Sequence, residues 1–436
     1  MLKKVFIALL AIALFGSAFL VDSIDLPQKV TLGIFLVAIV LWVSEIIPLF
    51  VTSLIILFLE AILLSPVSGI SYTRWAGSFF SPIILLFLGG FVLAAGMKAY
   101  RIDEAIANFT LEKFGTKPYS LLLGFMCITA VLSMWVSNTA STALMIAVAL
   151  PIISRTGNFK KAILLGIPFS ASIGGMGTPI GTPPNALALD ALKKAGMTMT
   201  FTQWMARTIP LVVVLIIIAS GVLYLLFSPE KKRIVVDKRE PVPIRGRALF
   251  VSVVVLLTAL LWILSPVHHV SSSMIALFPI IALFGSGALD REHFRRLEWD
   301  VLVLMGGGLA LGEAIGATGL GRWFTGLAGV EGLSPYLALG LFMLITAVLS
   351  NVMSNTSAAA LILPIVVSTL AGRGVPFAIA LTASAALVFP ISTPPNAIAY
   401  GSGHLKIKDM AVSGLIMNAV AVLLVYLLAI KWWGGI

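Results

Sequence analysis

The sequence predicts an all-α polytopic membrane protein, with about 11 transmembrane helices and two re-entrant helical hairpins arranged in two inverted repeats. Three observations lead to this prediction. Of the 436 residues, 59% are hydrophobic and only 11% are charged, whereas soluble domains carry roughly 25% charged residues. Two long uncharged segments each have a polar triplet near the centre. The same order of motifs occurs twice along the chain.

The charge and cysteine content exclude several classes of protein. The net charge of +11 could indicate a nucleic-acid partner. We favour basic cytoplasmic loops, which are typical of membrane proteins, and expect no nucleic acid. The single cysteine, Cys127, excludes an intrachain disulfide framework and a cysteine metal site. The four histidines have no ligand spacing.

Residues 1–29 are predicted to form an extra N-terminal helix and loop. The apolar run at residues 5–20 follows Lys3 and Lys4, so a first span with a cytoplasmic N-terminus is expected. A cleaved signal peptide ending near Gly16-Ser17-Ala18 is the alternative.

The first repeat is predicted at residues 30–227 and begins with three spans, at residues 30–47, 49–64 and 79–97. Glu45 lies at the junction of the first two. It is expected to be an interfacial residue at a helix end, with a buried functional carboxylate as the alternative. Residues 98–117 are charged and predict an amphipathic surface helix.

Two uncharged segments have lengths that fit neither one span nor two. Residues 121–153 contain 33 residues, whereas one span needs about 20 residues and two need roughly 40. Ser137-Asn138-Thr139 lies near the middle of this segment. A re-entrant hairpin at residues 119–155, with the triplet at its tip, explains both the length of the segment and the polar residues near its middle. Non-helical backbone is tolerated at membrane depth where protein or water surrounds it. Ser354-Asn355-Thr356 predicts a second hairpin at residues 335–370.

Two further apolar segments are interrupted by glycine and proline. Residues 162–189 contain Thr182-Pro183-Pro184-Asn185, and residues 378–400 contain Thr393-Pro394-Pro395-Asn396. Because these prolines cannot continue an α-helix, both segments are predicted to be broken transmembrane helices. A phosphate-binding loop is disfavoured, because the required strand and lysine are missing.

The remaining spans complete the two repeats. They are predicted at residues 209–227 in repeat 1 and at residues 248–264, 272–284, 301–317 and 411–430 in repeat 2, which occupies residues 248–436. A linker at residues 228–247 has seven basic residues and is predicted to be cytoplasmic. Loop charge then places the C-terminus outside, although Lys193, Lys194 and Arg207 also fall outside and count against this orientation.

The register of the motifs indicates an internal repeat. Gly89 and Gly306 are 217 positions apart, as are Ser137 and Ser354, while Thr182 and Thr393 are 211 positions apart. A gap of six residues in one connection accounts for the difference between the separations of 217 and 211 positions. Each unit has five full spans, and because five is odd the two units insert in opposite orientations. This architecture is typical of secondary transporters.

Neutral oxygen atoms dominate the motifs. Ser133 and Ser137 are four residues apart and are predicted to share a helix face. Serine, asparagine and backbone oxygens suit a monovalent cation such as sodium. The amide and hydroxyl donors flank helix N-termini, which favour anions, so a ligand with two anionic ends is expected. The bound cations would supply positive charge, because neither motif contains Lys or Arg. Simple hydrogen bonding between helices is the alternative.

The paired Ser-Asn-Thr triplets and Thr-Pro-Pro-Asn breaks, together with the Glu-x-x-Pro segment at residues 42–52, resemble the divalent anion/sodium symporter family over nearly the whole chain. The resemblance implies a homodimer with a scaffold domain and a moving transport domain that works as an elevator. It implies one sodium ion at Ser133, Ser137, Asn138 and Gly181, and a second at Ser350, Ser354, Asn355 and Ser392. It implies contacts with the anion from Asn138, Thr139, Thr182, Asn355, Thr356 and Pro394.

We therefore expect sodium-coupled symport of C4-dicarboxylates, such as succinate, malate or fumarate, across the inner (plasma) membrane. The family's cargo also includes tricarboxylates and sulfate, so a sulfate transporter is an alternative, and a sodium-independent dicarboxylate exchanger is another. The only other expected partner is membrane lipid. An enzyme is not expected, because no Ser-His, paired-Asp or metal-ligand set lies in the apolar segments.

Overall fold

The structure is a computed structural model that describes residues 2–153, 156–234, 242–327, 332–370 and 372–433. Within these ranges every regular element is a helix, which confirms the all-α prediction. Eight of the described helical segments are long and apolar enough to cross a membrane. Other predicted membrane segments contain shorter apolar helices of 10–17 residues. The chain is therefore a multi-pass membrane protein.

The helices up to the linker follow the predicted order. They are α1 (Leu2–Ser17), α2 (Leu26–Ser44), α3 (Leu49–Leu59), α4 (Ser65–Ser68), α5 (Tyr72–Gly77), α6 (Pro82–Ala99), α7 (Ile102–Phe114), α8 (Pro118–Ser133), α9 (Asn138–Ile153), α10 (Lys160–Gly175), α11 (Pro183–Lys194) and α12 (Phe201–Leu226).

The helices after the linker repeat much of this order. They are α13 (Arg247–Ile263), α14 (Ser265–His268), α15 (Ser272–Ile275), α16 (Leu277–Gly285), α17 (Arg291–Arg295), α18 (Trp299–Thr318), α19 (Leu320–Leu327), α20 (Pro335–Val352), α21 (Asn355–Thr369), α22 (Gly374–Ser384), α23 (Pro394–Gly401) and α24 (Ile407–Lys431).

Local capping explains where α2 begins and ends. Asp25 accepts a hydrogen bond from the Gln28 backbone at 2.9 Å, and the Gln28 side chain accepts one from the Asp25 backbone at 3.1 Å. The helix therefore begins before the predicted residue 30. It ends at Ser44 rather than at residue 47, because Glu45 adopts the left-handed conformation with φ 46°, and Pro48 disfavours helix in the residue before it. Glu45 is thus a helix-end residue.

A buried carboxyl group interrupts the regular geometry after α3. Residues 60–64 form a π-helical turn that begins at Glu60. The Glu60 side chain is fully buried, and neither of its oxygens has a hydrogen-bond partner among the described residues. An unpaired buried carboxyl group is costly inside a membrane.

Two pairs of helices have the predicted Ser-Asn-Thr triplets at their junctions. α8 packs against α9, and α20 packs against α21. The first junction is Met134–Ser137, and the second is Met353-Ser354. Both helices that follow a junction begin at the asparagine of the triplet. This arrangement brings a polar turn into the interior of each half of the chain.

The two broken helices interlock the halves of the chain. α10 packs against α8, α9 and α12, while α22 packs against α20, α21 and α24. Beyond each break the partners change, since α11 contacts α21 and α22, whereas α23 contacts α9 and α10. Each half thus inserts a short helix against the paired helices of the other half. Residues 162–182 and 374–388 are buried throughout, so the first break and the segment that leads into the second lie in the interior.

Candidate functional site

The junctions and the breaks surround one cavity of about 810 Å³. It lies where four irregular segments of the chain meet. The predicted site residues that line it are Ser137, Asn138, Thr139, Gly181, Thr182, Ser354, Asn355, Thr356, Ser392 and Pro394. The other two predicted residues, Ser133 and Ser350, are fully buried behind the wall. The structure therefore brings the residues of both motifs together.

Four helices begin at this cavity. α9 begins at Asn138 and α21 at Asn355, while α11 and α23 begin at Pro183 and Pro394. All four residues line the cavity. A helix N-terminus presents unpaired N–H groups and a partial positive charge, which attract anions. α9 and α21 begin with residues that carry N–H groups, whereas α11 and α23 each begin with two prolines and contribute only the partial positive charge of a helix end.

Ser133 and Ser137 do not share a helix face, contrary to the expectation from their spacing. α8 ends at Ser133, and Ser137 lies in the turn before α9. The Ser133 Oγ lies 2.8 Å from the Ala171 carbonyl oxygen of α10, while Ser137 lines the cavity. Thr178 ties the turn to the break by donating to the Met134 carbonyl at 2.5 Å. Tertiary contacts, rather than helix periodicity, position these two hydroxyls.

The Asn138 amide stands at the centre of the first oxygen cluster. One of its terminal atoms lies 2.5 Å from the Ser133 Oγ and 3.2 Å from the carbonyl oxygens of Ala171 and Gly181. Placed as nitrogen, this atom donates hydrogen bonds to its neighbours. Placed as oxygen, it completes a set of four converging oxygens. Such a set of neutral oxygens is what a sodium ion requires, and rotation of the amide exchanges one arrangement for the other.

The second cluster repeats this chemistry. The Ser350 Oγ lies 2.8 Å from the Asn355 Oδ1 and 2.5 Å from the Ala383 carbonyl oxygen. A serine hydroxyl has one proton and cannot donate to both acceptors fully. The second cluster therefore has an excess of acceptors, which fits a bound cation. Ser350 and Asn355 thus occupy the same relation as Ser133 and Asn138.

The asparagines of the two Thr-Pro-Pro-Asn breaks hold the interrupted backbone. The Asn185 Nδ2 donates to the carbonyl oxygens of Gly175, at 2.9 Å, and Thr178, at 2.8 Å. The Asn396 Nδ2 donates to the Phe389 carbonyl at 3.0 Å. These bonds satisfy carbonyl groups that the helix breaks leave without intrahelical partners. Sequence reasoning did not assign a role to either side chain, although both belong to the repeated motif.

Asn351 is a further residue that sequence reasoning missed. Its Oδ1 accepts a hydrogen bond from the Val388 backbone at 3.0 Å, and its carbonyl accepts one from the Ser392 hydroxyl at 2.8 Å. It therefore joins α20 to the second break. The first hairpin has Met134 at the equivalent position, so the repeat gave no signal for this contact.

Among the residues that the structure describes, three carboxylates line the cavity, and no lysine or arginine does. They belong to Glu45, Glu298 and Asp300. Burial raises the pKa of the Glu298 carboxyl group, and nearby Asp300 raises it further, while the Ser137 hydroxyl and the charge of Lys98 oppose these effects. Burial also raises the pKa of Glu45. Apart from Glu45, sequence reasoning did not find these groups, because no motif marks them.

Comparison with known proteins identifies relatives that align with most of the chain. The CitMHS family, described as citrate transporter, matches residues 39–387. A Staphylococcus aureus (strain USA300) protein named sodium-dependent dicarboxylate transporter SdcS is 34% identical over 92% of this chain and 86% of its own length. An uncharacterized transporter of Haemophilus influenzae is 31% identical over 95% of this chain and 94% of its own length.

Two solved structures share the fold at low sequence identity. The Alcanivorax borkumensis YdaH transporter aligns with a TM-score of 0.59 and 15% identity, over 83% of this chain and 87% of that one. Neisseria gonorrhoeae MtrF aligns with a TM-score of 0.56 and 15% identity, over 83% of both chains. At this identity the likeness concerns the fold alone.

Proposed function

The chain belongs to the CitMHS citrate transporter family, and from that premise we propose that it is a secondary active symporter of sodium and divalent organic anions. Membership makes it a transporter, not an enzyme. The proposed cargo is a C4-dicarboxylate such as succinate, malate or fumarate. The observation that carries the proposal is the meeting of four helix N-termini at one cavity, whose lining includes no lysine or arginine in the ranges that the structure describes.

Sodium is the proposed coupling ion for a physical reason. A dianion gains only partial charge compensation from helix N-termini, and in the described part of the chain no basic side chain lines the cavity. Two monovalent cations in the oxygen clusters around Asn138 and Asn355 would supply the missing charge. The name of the relatives from Staphylococcus, sodium-dependent dicarboxylate transporter, supports this proposal.

The proposed mechanism is an elevator within an inverted-repeat membrane fold. In this proposal the helix pairs α8/α9 and α20/α21 are re-entrant hairpins, and about 11 spans cross the bilayer. Helices α8–α12 and α20–α24 form the moving transport unit, while α1–α7 and α13–α19 form the scaffold. We also propose a homodimer with cytoplasmic N-termini and external C-termini. The interlocked packing of α11 and α23 supports a transport unit that moves as one body.

The direct test is uptake of labelled succinate into vesicles that contain the purified protein. Uptake should rise with an inward sodium gradient and fall to background when choline replaces sodium. Unchanged uptake in choline would contradict symport and favour the sodium-independent exchanger, which needs internal dicarboxylate instead. Competition by unlabelled malate, citrate and sulfate then identifies the cargo. If sulfate competes best, the alternative of an inorganic anion transporter replaces the dicarboxylate proposal.

An ion-pair network offers a test of the elevator movement. Lys194 of α11 lies 3.1 Å from Glu313 of α18, and Arg74 of α5 lies 2.6 Å from the same carboxylate. The first pair joins the proposed transport unit to the scaffold, whereas the second lies within the scaffold. Movement of the transport unit would break the first pair and leave the second intact.

We therefore expect cross-linking of the double variant Lys194→Cys/Glu313→Cys to stop transport. A short bis-methanethiosulfonate reagent would link the thiols in a Cys127→Ser background, and a reductant should restore uptake. The matched control is Arg74→Cys/Glu313→Cys, in which the link lies within the scaffold and uptake should continue. Full uptake by the cross-linked Lys194/Glu313 variant would contradict the elevator.

A further inference from the structure

The two hairpins are joined to their breaks in different ways. In the second half of the chain the join is made by Asn351 and Ser392, both of which are buried. The Ser392 hydroxyl lies 2.8 Å from the Asn351 carbonyl oxygen and 3.3 Å from the Asn351 Oδ1. The same Oδ1 accepts a hydrogen bond from the Val388 backbone at 3.0 Å. Asn351 therefore holds the second break against α20 with both its backbone and its side chain.

Neighbouring groups fix the orientation of both side chains. The Asn351 Nδ2 donates to the Ala347 carbonyl, one turn earlier in α20, at 2.7 Å, so its Oδ1 is left to face Val388 and Ser392. The Ser392 Oγ accepts a hydrogen bond from the Phe389 backbone at 3.1 Å. A hydroxyl that donates one bond and accepts one retains a lone pair. Ser392 is therefore held in place and can still bind a cation.

The first hairpin has a different join at the equivalent positions. Met134 corresponds to Asn351, and Gly181 corresponds to Ser392, so neither residue supplies a polar side chain. The Thr178 hydroxyl of the break donates to the Met134 carbonyl instead. The first break is thus joined to its hairpin without the amide and the hydroxyl that hold the second.

We propose that Asn351 is a positioning residue that preorganises the second oxygen cluster, so that sodium binds this cluster before it binds the first. The inference rests on the proposed function and deepens it, since it concerns the order in which the two proposed coupling ions bind. Asn351 acts through Ser392, which lines the cavity.

The amides at the centres of the two clusters support this order. The Asn355 Oδ1 faces the Ser350 hydroxyl at 2.8 Å, so an oxygen is directed to the cluster. In the first cluster, the terminal atom of Asn138 that faces Ser133 makes three hydrogen bonds when it is nitrogen. A cation needs oxygen at this position, so the amide must rotate and lose those bonds. The second cluster needs no such rotation, and ligands that are already ordered bind more tightly.

The backbone of the two junctions differs in the same direction. α20 continues to Val352, beyond Ser350 and Asn351, whereas α8 ends at Ser133. The second junction therefore has two non-helical residues, and the first has four. Fewer residues outside regular structure leave less conformational entropy to be lost when an ion orders the junction.

The test measures sodium binding without a dicarboxylate, as thermal stabilisation of the purified protein, with choline chloride keeping the ionic strength constant. Asn351→Ala removes the oxygen that accepts from the Val388 N–H group. Asn351→Asp keeps an oxygen acceptor and loses the amide donor to Ala347. The matched control is Asn418→Ala, since Asn418 is a buried asparagine of α24 that donates to the Ala385 carbonyl at 2.6 Å.

Asn351→Ala should raise the sodium concentration for the tightest binding event about five- to tenfold, because the break must then be ordered as the ion binds. Asn351→Asp should bind sodium at least as tightly as the wild type, because it retains the acceptor and its negative charge attracts a cation. Asn418→Ala should lower the unfolding temperature and leave the sodium midpoint unchanged.

A fourth variant tests the order of binding. Gly175→Ala places a methyl group against Asn138 in the first cluster. It should therefore remove the weaker sodium-binding event and leave the tightest one in place. Loss of the tightest event in this variant would overturn the proposed order. If Asn351→Ala does not fold, Asn351→Asp and Gly175→Ala still decide the outcome.

An unchanged sodium midpoint in Asn351→Ala would overturn the positioning role. Equal weakening in Asn351→Ala and Asn351→Asp, or the same shift in Asn418→Ala, would overturn it as well and leave a general effect on stability. If sodium does not stabilise the wild type, the proposed sodium coupling fails, and the inference fails with it. Failure of the inference alone is distinguishable, because the wild type then still responds to sodium.

Discussion

Asn138→Ala and Asn355→Ala should each abolish transport while the protein stays folded. Each amide lies at the centre of one oxygen cluster, and each asparagine begins a helix at the cavity. Loss of a hydrogen bond to a charged ligand costs about 1.5–3 kcal/mol, which corresponds to a tenfold or greater loss of uptake for each bond. Because in our proposal each side chain binds both a cation and the anion, the expected uptake is at background.

The measurement is sodium-driven succinate uptake in vesicles, together with thermal unfolding in detergent. Asn158→Ala is the control, since Asn158 is an exposed residue of a turn outside the cavity, and it should transport like the wild type. The stabilisation that sodium confers on the wild type should be reduced in both cavity variants. Near-native uptake in both would remove the site assignment.

Gly175→Ala should eliminate sodium-dependent transport by filling the first oxygen cluster. A Cβ at this position would lie 2.7 Å from the Asn138 Oδ1 and 3.0 Å from the Gly181 carbonyl oxygen. The Asn138 side chain would have to move, and the Gly181 carbonyl belongs to the backbone of the break. The added methyl group therefore displaces the oxygen atoms that are proposed to hold sodium.

Gly221→Ala is the matched control for this substitution. Gly221 lies within α12, and nothing lies within 4 Å of the Cβ that the substitution would add. This change should retain uptake and stabilise the helix by about 0.4–1 kcal/mol. The sodium concentration for half-maximal uptake is measured for both variants. Wild-type sodium dependence in Gly175→Ala would show that the first cluster does not bind the coupling ion.

Much of the site could be predicted because its parts are local in the sequence. Asn138 and Asn355 stand in uncharged segments whose lengths fit neither one span nor two, and the prolines at Pro183 and Pro394 must interrupt a helix. The asparagines are 217 positions apart and the prolines 211, and this similar spacing indicated that the parts form two related sets. The structure brings both asparagines and both prolines to one cavity.

Other parts of the site depend on contacts that no sequence pattern encodes. The spacing of Ser133 and Ser137 suggested one helix face, but α8 ends at Ser133, and the hydroxyl of that residue is directed to the Ala171 carbonyl. Glu298 follows a basic loop and carries no motif, yet it lines the same cavity as Ser137, which lies more than a third of the chain away in sequence. Such pairs are fixed by the packing of separate helices, which sequence spacing alone does not specify.

The sequence by itself determined the membrane character, the helices, the two polar tips and the two breaks. Each of these follows from local physics, since the bilayer demands apolar helices and proline interrupts them. The tertiary structure alone decided which oxygens converge on Asn138 and Asn355, and which carboxylates line the same cavity. These features depend on how α10 and α22 cross the paired helices around them, and that geometry arises only when the whole chain packs.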